Sequence, residues 1–161
     1  MDIVLAAVGR AKAGPERDLF DEYARRLRWP LIVREVEDRR PRSVAARSVA
    51  ERVAREGELL LAALPAGAVV VALDAAGKPL TSEDFAHRLG TWRDQGAASV
   101  AFLIGGADGH GAAVRARADL TLSLGPMVWP HLLVRTMLAE QIYRGQCILD
   151  GHPYHRGRQQ D

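Results

Sequence analysis

Apolar, β-branched runs recur along the chain between longer stretches whose apolar residues fall at helical spacing. Ile3 to Val8, Leu31 to Val36, Ala68 to Leu73, Ser99 to Ile104 and Leu120 to Leu124 are the predicted strands. Several are apolar at nearly every position, as strands covered on both faces are. Pro15 suits a first helical turn, and Leu19, Phe20, Tyr23, Ala24 and Leu27 follow at three-and-four spacing. A second helix is predicted from about Val44 to Leu64, entered through Ser43 and closed by Pro65 and Gly67. Thr81 followed by Asp84 resembles a capping box, opening a helix with Phe85, Leu89 and Trp92 on one face that Gly96 ends. A short helix follows Gly111, and Pro130 opens the last, in which Leu133, Met137, Ile142 and Cys147 need not share a surface. Strand then helix, five times over, predicts an α/β fold: an open, mostly parallel sheet with helices on both faces.

Ligands of such sheets bind beyond the carboxyl ends of the strands. Three turns there are candidates: Leu73 to Lys78, Ile104 to Gly111, and Leu124 to Pro130. The second carries Gly105, Gly106, Gly109 and Gly111, whose missing side chains let backbone approach a ligand closely or simply make a tight turn. It misses the G-x-G-x-x-G spacing and follows the fourth strand, and the acid that a ribose needs about 20 positions on falls at Leu124 and Gly125. A dinucleotide site is therefore disfavoured. The third turn, with Gly125, Pro126, Met127, Val128 and Trp129, offers backbone polar groups beside thioether and indole surface, which suits an adenine ring or a core turn.

Size and charge narrow the picture. At 161 residues, 48% hydrophobic and 26% charged, the chain is expected to form a single domain over 1–161, with 157–161 a frayed tail. No run reaches membrane-spanning length and the first ten residues lack a secretory signal, so a cytoplasmic protein with no membrane partner is expected. The formal charge of +2 is too balanced for indiscriminate nucleic-acid coating. Yet Lys12 and Lys78 are the only lysines, and arginine grips phosphate through paired hydrogen bonds. Arg39, Arg40, Arg42, Arg47, Arg52 and Arg55 cluster, either as a solvated helix face or as an RNA-facing patch. In the tail, Cys147, His152 and His155 lack a fourth ligand for zinc, so no metal is expected. Tyr154, His155 and Arg156 could instead orient a base and contact phosphate. His87 and His110 read as surface residues, and the serines lack a nucleophile-elbow context.

Several stretches together resemble one family along essentially the whole chain: Leu73-Asp74 with Gly77-Lys78-Pro79, Phe102 to Gly106 with Gly109, Leu122-Ser123, Pro130-His131 with Val134-Arg135, Glu140 to Arg144, and His152 to Arg156. They resemble the RlmH family of SPOUT-class methyltransferases, which act on N3 of a pseudouridine in helix 69 of 23S ribosomal RNA. The resemblance implies a C-terminal trefoil knot, a homodimer, and S-adenosylmethionine as cofactor. It places cofactor contacts at Leu73, Gly105, Leu124, Gly125, Pro126, Met127, Val128 and Trp129. This sequence departs from the usual family pattern at Gly125-Pro126 and Val128-Trp129, and Gly157 to Asp161 extends past the usual end.

N3 of pseudouridine becomes nucleophilic as its imide proton leaves, so charge there must be accepted or stabilised. Tyr154, His155 and Arg156 are the candidates, reaching across a dimer interface, with Arg135 or Arg144 neutralising phosphate or the developing anion. Asp108 is a weaker candidate for a polar contact beside the cofactor. A knotted methyltransferase acting on transfer RNA, a non-catalytic ribosome-binding factor and a flavodoxin-like nucleotide binder are the alternatives. Methyl transfer to the respective RNA, or its absence, separates them.

Overall fold

In the structure, a computed structural model describing residues 1–40 and 48–155, five strands form one sheet in the order β2-β1-β4-β3-β5, every neighbouring pair parallel. They are β1 (Asp2–Val8), β2 (Leu31–Val36), β3 (Val69–Pro79), β4 (Ser99–Ile104) and β5 (Leu120–Ser123). The connections run through α1 (Pro15–Arg26), α2 (Val49–Ala62), α3 (Ser82–Asp94) and α4 (Ala112–Arg117), and α5 (His131–Leu149) follows the last strand.

Side chains alternate across a strand, so each face gets its own core. On one face Ile3, Leu5 and Ala7 of β1 and Phe102 of β4 meet Phe20 of α1, Phe85 and Leu89 of α3, and Leu138 and Ile142 of α5. On the other, Ala6, Val70 and Leu103 meet Leu60 of α2 and Val114 of α4. Phe102 is fully buried, edge-on to Phe85 at 6.1 Å between ring centroids, and truncating such a side chain to alanine costs about 3–5 kcal/mol.

Local signals set the helix ends. Pro15 begins α1, and the Thr81 hydroxyl accepts from the Asp84 amide at 3.0 Å to cap α3. Gly96, at φ +80°, follows the end of that helix. The second helix departs from expectation: Ser48 is its cap, accepting from the Glu51 amide at 3.1 Å, and α2 starts at Val49. Ser43 and Val44 lie outside the described residues. A second departure is the length of β3. The segment Asp74 to Lys78 is an irregular continuation of the strand, not a free turn, because both Leu73 and Lys78 register with Leu122. Gly77 permits this: a Cβ there would lie 2.8 Å from the Thr121 and Leu122 backbone.

Candidate functional site

The carboxyl ends of β3, β4 and β5 open into one crevice of about 740 Å³, within the range of small-molecule sites. Leu73, Asp74 and Ala75 form one side, and Ile104 to Gly109 a second. Leu122, Leu124, Gly125, Met127, Val128 and Trp129 form the third. All three sequence-predicted bends thus meet, and among the expected contact residues only Pro126 stands outside the wall.

The bends are tied to one another. The Ser123 hydroxyl donates to the Ala75 carbonyl at 3.1 Å and accepts from the Gly125 amide at 3.1 Å, joining the β3 and β5 sides. Gly125 sits at φ +111°, a conformation that side chains disfavour. On the β4 side, a Cβ at Gly105 would lie 2.8 Å from the Gly109 carbonyl oxygen, so the loop closes on itself only with glycine there. Beneath it, His110 is buried, contrary to the surface position expected, with Nε2 3.2 Å from the Leu103 carbonyl. Its depth follows from the loop turning back over the end of β4, and burial lowers its pKa.

His131, quoted in the sequence only as part of a motif, lines the crevice and reaches the Gly105 carbonyl at 3.1 Å through Nε2. A carbonyl only accepts, so Nε2 carries the proton. Burial and then the Arg135 charge lower its pKa, which keeps the ring neutral at neutral pH. The charged groups at the rim are compensated: Arg115 donates to Asp74 at 3.3 Å and Arg52 to Asp108 at 2.7 Å. The pocket is therefore apolar and backbone-lined, with acids at its edge and no uncompensated Lys or Arg in its wall. Neither His131 nor the Arg115–Asp74 pairing has a spacing signal in the sequence; each depends on strands meeting in space.

The other predicted residues lie elsewhere. Arg135 is buried, donating to Glu35 at 2.6 Å and to the Gly9 carbonyl at 2.7 Å. That makes it a tie between α5 and the ends of β1 and β2, where the sequence led to an expectation that it neutralises phosphate or the developing anion. Arg144 is bound to Glu140 on its own helix. Tyr154 donates to Glu140 at 3.0 Å and stacks edge-on to Tyr143 at 4.8 Å, with the Arg144 guanidinium 4.9 Å from its ring centroid. Burial, then hydrogen bonds with Tyr23 and Glu140, raise the Tyr154 pKa far above that of an ordinary phenol. His155 Nε2 is 2.8 Å from Glu83 on α3, and Nδ1 is 3.5 Å from Arg144. None of these tail residues lines the crevice. Arg156 and 157–161 lie outside the described residues. Among the described residues no cluster suited to a metal occurs, and no helix is long and apolar enough to cross a membrane.

Of the arginine cluster, Arg40 pairs with Asp38, Arg52 with Asp108 and Arg55 with Glu58, while Arg42 and Arg47 lie outside the described residues. Asp108, expected as a polar contact, lines the crevice with its carboxylate held by Arg52.

Residues 1–155 match the family model described as a predicted SPOUT methyltransferase. The ribosomal RNA large subunit methyltransferase H of Paramagnetospirillum magneticum is 61% identical over 156 residues, covering 97% of this chain and 99% of its own. That of Rhodospirillum centenum is 62% identical over 157 residues with the same coverages. The SpoU methyltransferase AviRb from Streptomyces viridochromogenes, solved with AdoMet, covers 92% of this chain and 61% of its own at 14% identity and a TM-score of 0.46, a likeness too distant to bear on the site.

Proposed function

The chain belongs to the SPOUT methyltransferase family, and from that premise we propose that it transfers a methyl group from S-adenosylmethionine to N3 of a pseudouridine in helix 69 of 23S ribosomal RNA, on assembled ribosomes. The observation that carries this reading is the convergence of three strand-end bends on one apolar, backbone-lined crevice. The crevice fits the cofactor's chemistry. Met127 and Trp129 give thioether and indole surface for adenine, the rim acids suit hydroxyl and ammonium groups, and a neutral His131 does not repel a cation. When bound, S-adenosylmethionine supplies an electrophilic methyl carbon on a positively charged sulfur. Leu73, Gly105 and the turn 124–129 are the residues that would hold it.

The acceptor side must take up the imide proton. Tyr154 is not the base, because its raised pKa keeps the hydroxyl protonated and donating to Glu140. His155 is the tail group that offers a ring nitrogen as proton acceptor. With Nε2 donating to Glu83, Nδ1 carries the lone pair, 3.5 Å from the Arg144 guanidinium. Tyr154 and Arg156 orient and neutralise around it. Glu140, which anchors Tyr154, stands nine residues beyond His131 on α5, roughly 13 Å along the helix axis.

Two copies of the chain resolve this separation, the tail of one serving the crevice of the other. An apolar groove of about 610 Å³ beside the crevice, lined by Leu19, Tyr23, Leu124, Leu133 and Met137, supports a homodimer. So do the exposed Leu19, Met127 and Val128, the last 92% accessible. The C-terminal knot implied by the family fits the passage of the chain from β5 past the glycine loop, where His131 meets Gly105.

Nucleoside mass spectrometry on ribosomes lacking the modification tests the reading. Incubation with the protein and S-adenosylmethionine should produce methylpseudouridine in the large-subunit RNA. Methyl acceptance by transfer RNA alone, or no methyl transfer, contradicts it.

A further inference from the structure

Beyond the crevice, the end of β3 and the outer side of α3 enclose a second concavity of about 420 Å³, lined by Lys78, Asp84, His87, Arg88 and Trp92 among others. We infer that this groove is a backbone subsite for the RNA substrate, with Lys78 and Arg88 holding phosphate and the Trp92 ring available to a base. The inference rests on the RNA-modifying reading above and adds a contact surface to it.

The charge accounting points there. Most of the described cations already have partners: Arg10 with Glu37, Arg17 with Asp21, Arg28 with Asp150 and Arg117 with Asp119, besides the pairs already given. Among the described residues, Lys12, Arg39, Lys78 and Arg88 are the Lys and Arg side chains with neither an ion pair nor a hydrogen bond. Two of these four share one groove, and both are exposed. They can meet a phosphate without first breaking an internal contact, one as a point charge and the other as a planar fork. Trp92, half-buried against the core, adds a fixed aromatic face, the combination by which proteins track single-stranded nucleic acid. Asp84 is the one acid in the wall, which leaves the groove net positive. In the arginine cluster, by contrast, Arg40, Arg52 and Arg55 are each committed to a carboxylate.

Position agrees. Lys78 registers with Leu122, which itself lines the crevice wall. A strand that leaves its target base at the crevice therefore passes within reach of the groove.

The test is a Lys78→Gln/Arg88→Gln double variant, whose exposed positions leave the fold intact. Its binding to large ribosomal subunits lacking the modification is measured across a salt series. We expect about ten-fold weaker binding and a log–log salt slope shallower by about 1.5, with S-adenosylmethionine affinity unchanged and substantial recovery in Lys78→Arg/Arg88→Lys. Wild-type affinity and slope in the glutamine variant, with the wild type active on the same particles, overturn the groove alone. Weaker binding with an unchanged slope assigns the groove to a protein on the particle and overturns the RNA assignment. A wild type that neither binds nor methylates the particles overturns both the groove and the reading beneath it.

Discussion

The crevice is walled by backbone and apolar side chains and lies wholly within one chain, whereas the tail offers Tyr154 and His155, each already hydrogen-bonded to a carboxylate and neither reaching the crevice. In the first region geometry comes from topology: three strand ends, a glycine loop that tolerates no Cβ at Gly105, and a serine clasp. In the second, the proposed role depends on particular side chains held against α3 and α5. The contrast teaches that donor and acceptor halves of such a site can be separable. On the proposed function, the fold builds the donor pocket alone, while the acceptor side is completed by bringing a second surface to it.

The largest effect should come from the tail. His155→Ala is expected to lower methyl transfer roughly 100-fold, the usual scale for a lost proton-transfer group, while S-adenosylmethionine affinity stays within two-fold by calorimetry. Equal loss of both would merge the two regions into one site. Gly105→Val should do the reverse. Its side chain would press on the Gly109 carbonyl, 2.8 Å from the Cβ position, and overpacking of about 1–3 kcal/mol lowers donor affinity roughly 5- to 150-fold. The Tyr154–Glu140 hydrogen bond should persist in that variant. The smallest effect is on pH. His110 and His131 are held neutral with pKa values below the ordinary 6.5. Their contribution to stability and donor binding is therefore complete above about 6.5 and is lost as pH falls through the lowered folded values. Melting temperature and donor affinity measured between pH 7.5 and 5 should fall together, and His131→Gln should flatten part of the decline.

Much of this was legible in the sequence, for reasons that differ by element. The strands announce themselves because burial on both faces demands continuous apolar runs, and Thr81, Gly96, Pro15 and Pro130 mark helix ends by local chemistry alone. The start of α2 was not legible because Ser43 alone read as its entry, whereas the hydrogen bond from the Glu51 amide makes Ser48 the cap of α2. Asp74 to Lys78 has turn composition, and only its pairing with a strand more than forty residues later makes it part of β3. The same holds for side chains. An arginine on a helix reads as a surface charge, yet Arg135 is buried because Glu35, on another element, meets it. His110 reads as a loop residue, and the fold of the glycine loop over β4 buries it. The crevice was found from glycines at strand ends; His131 was not, since its partner is a backbone carbonyl.

One experiment addresses the separation of the two halves directly. Gly105→Val and His155→Ala chains, each nearly inactive alone at limiting S-adenosylmethionine, are unfolded together, refolded as a one-to-one mixture and assayed on unmodified ribosomes at that donor concentration. If the tail of one chain serves the crevice of its partner, half the dimers are mixed and each holds one intact site, so activity should recover to about one quarter of wild type. If each chain used its own tail, no mixed dimer would hold an intact site, and the mixture would stay as inactive as its components.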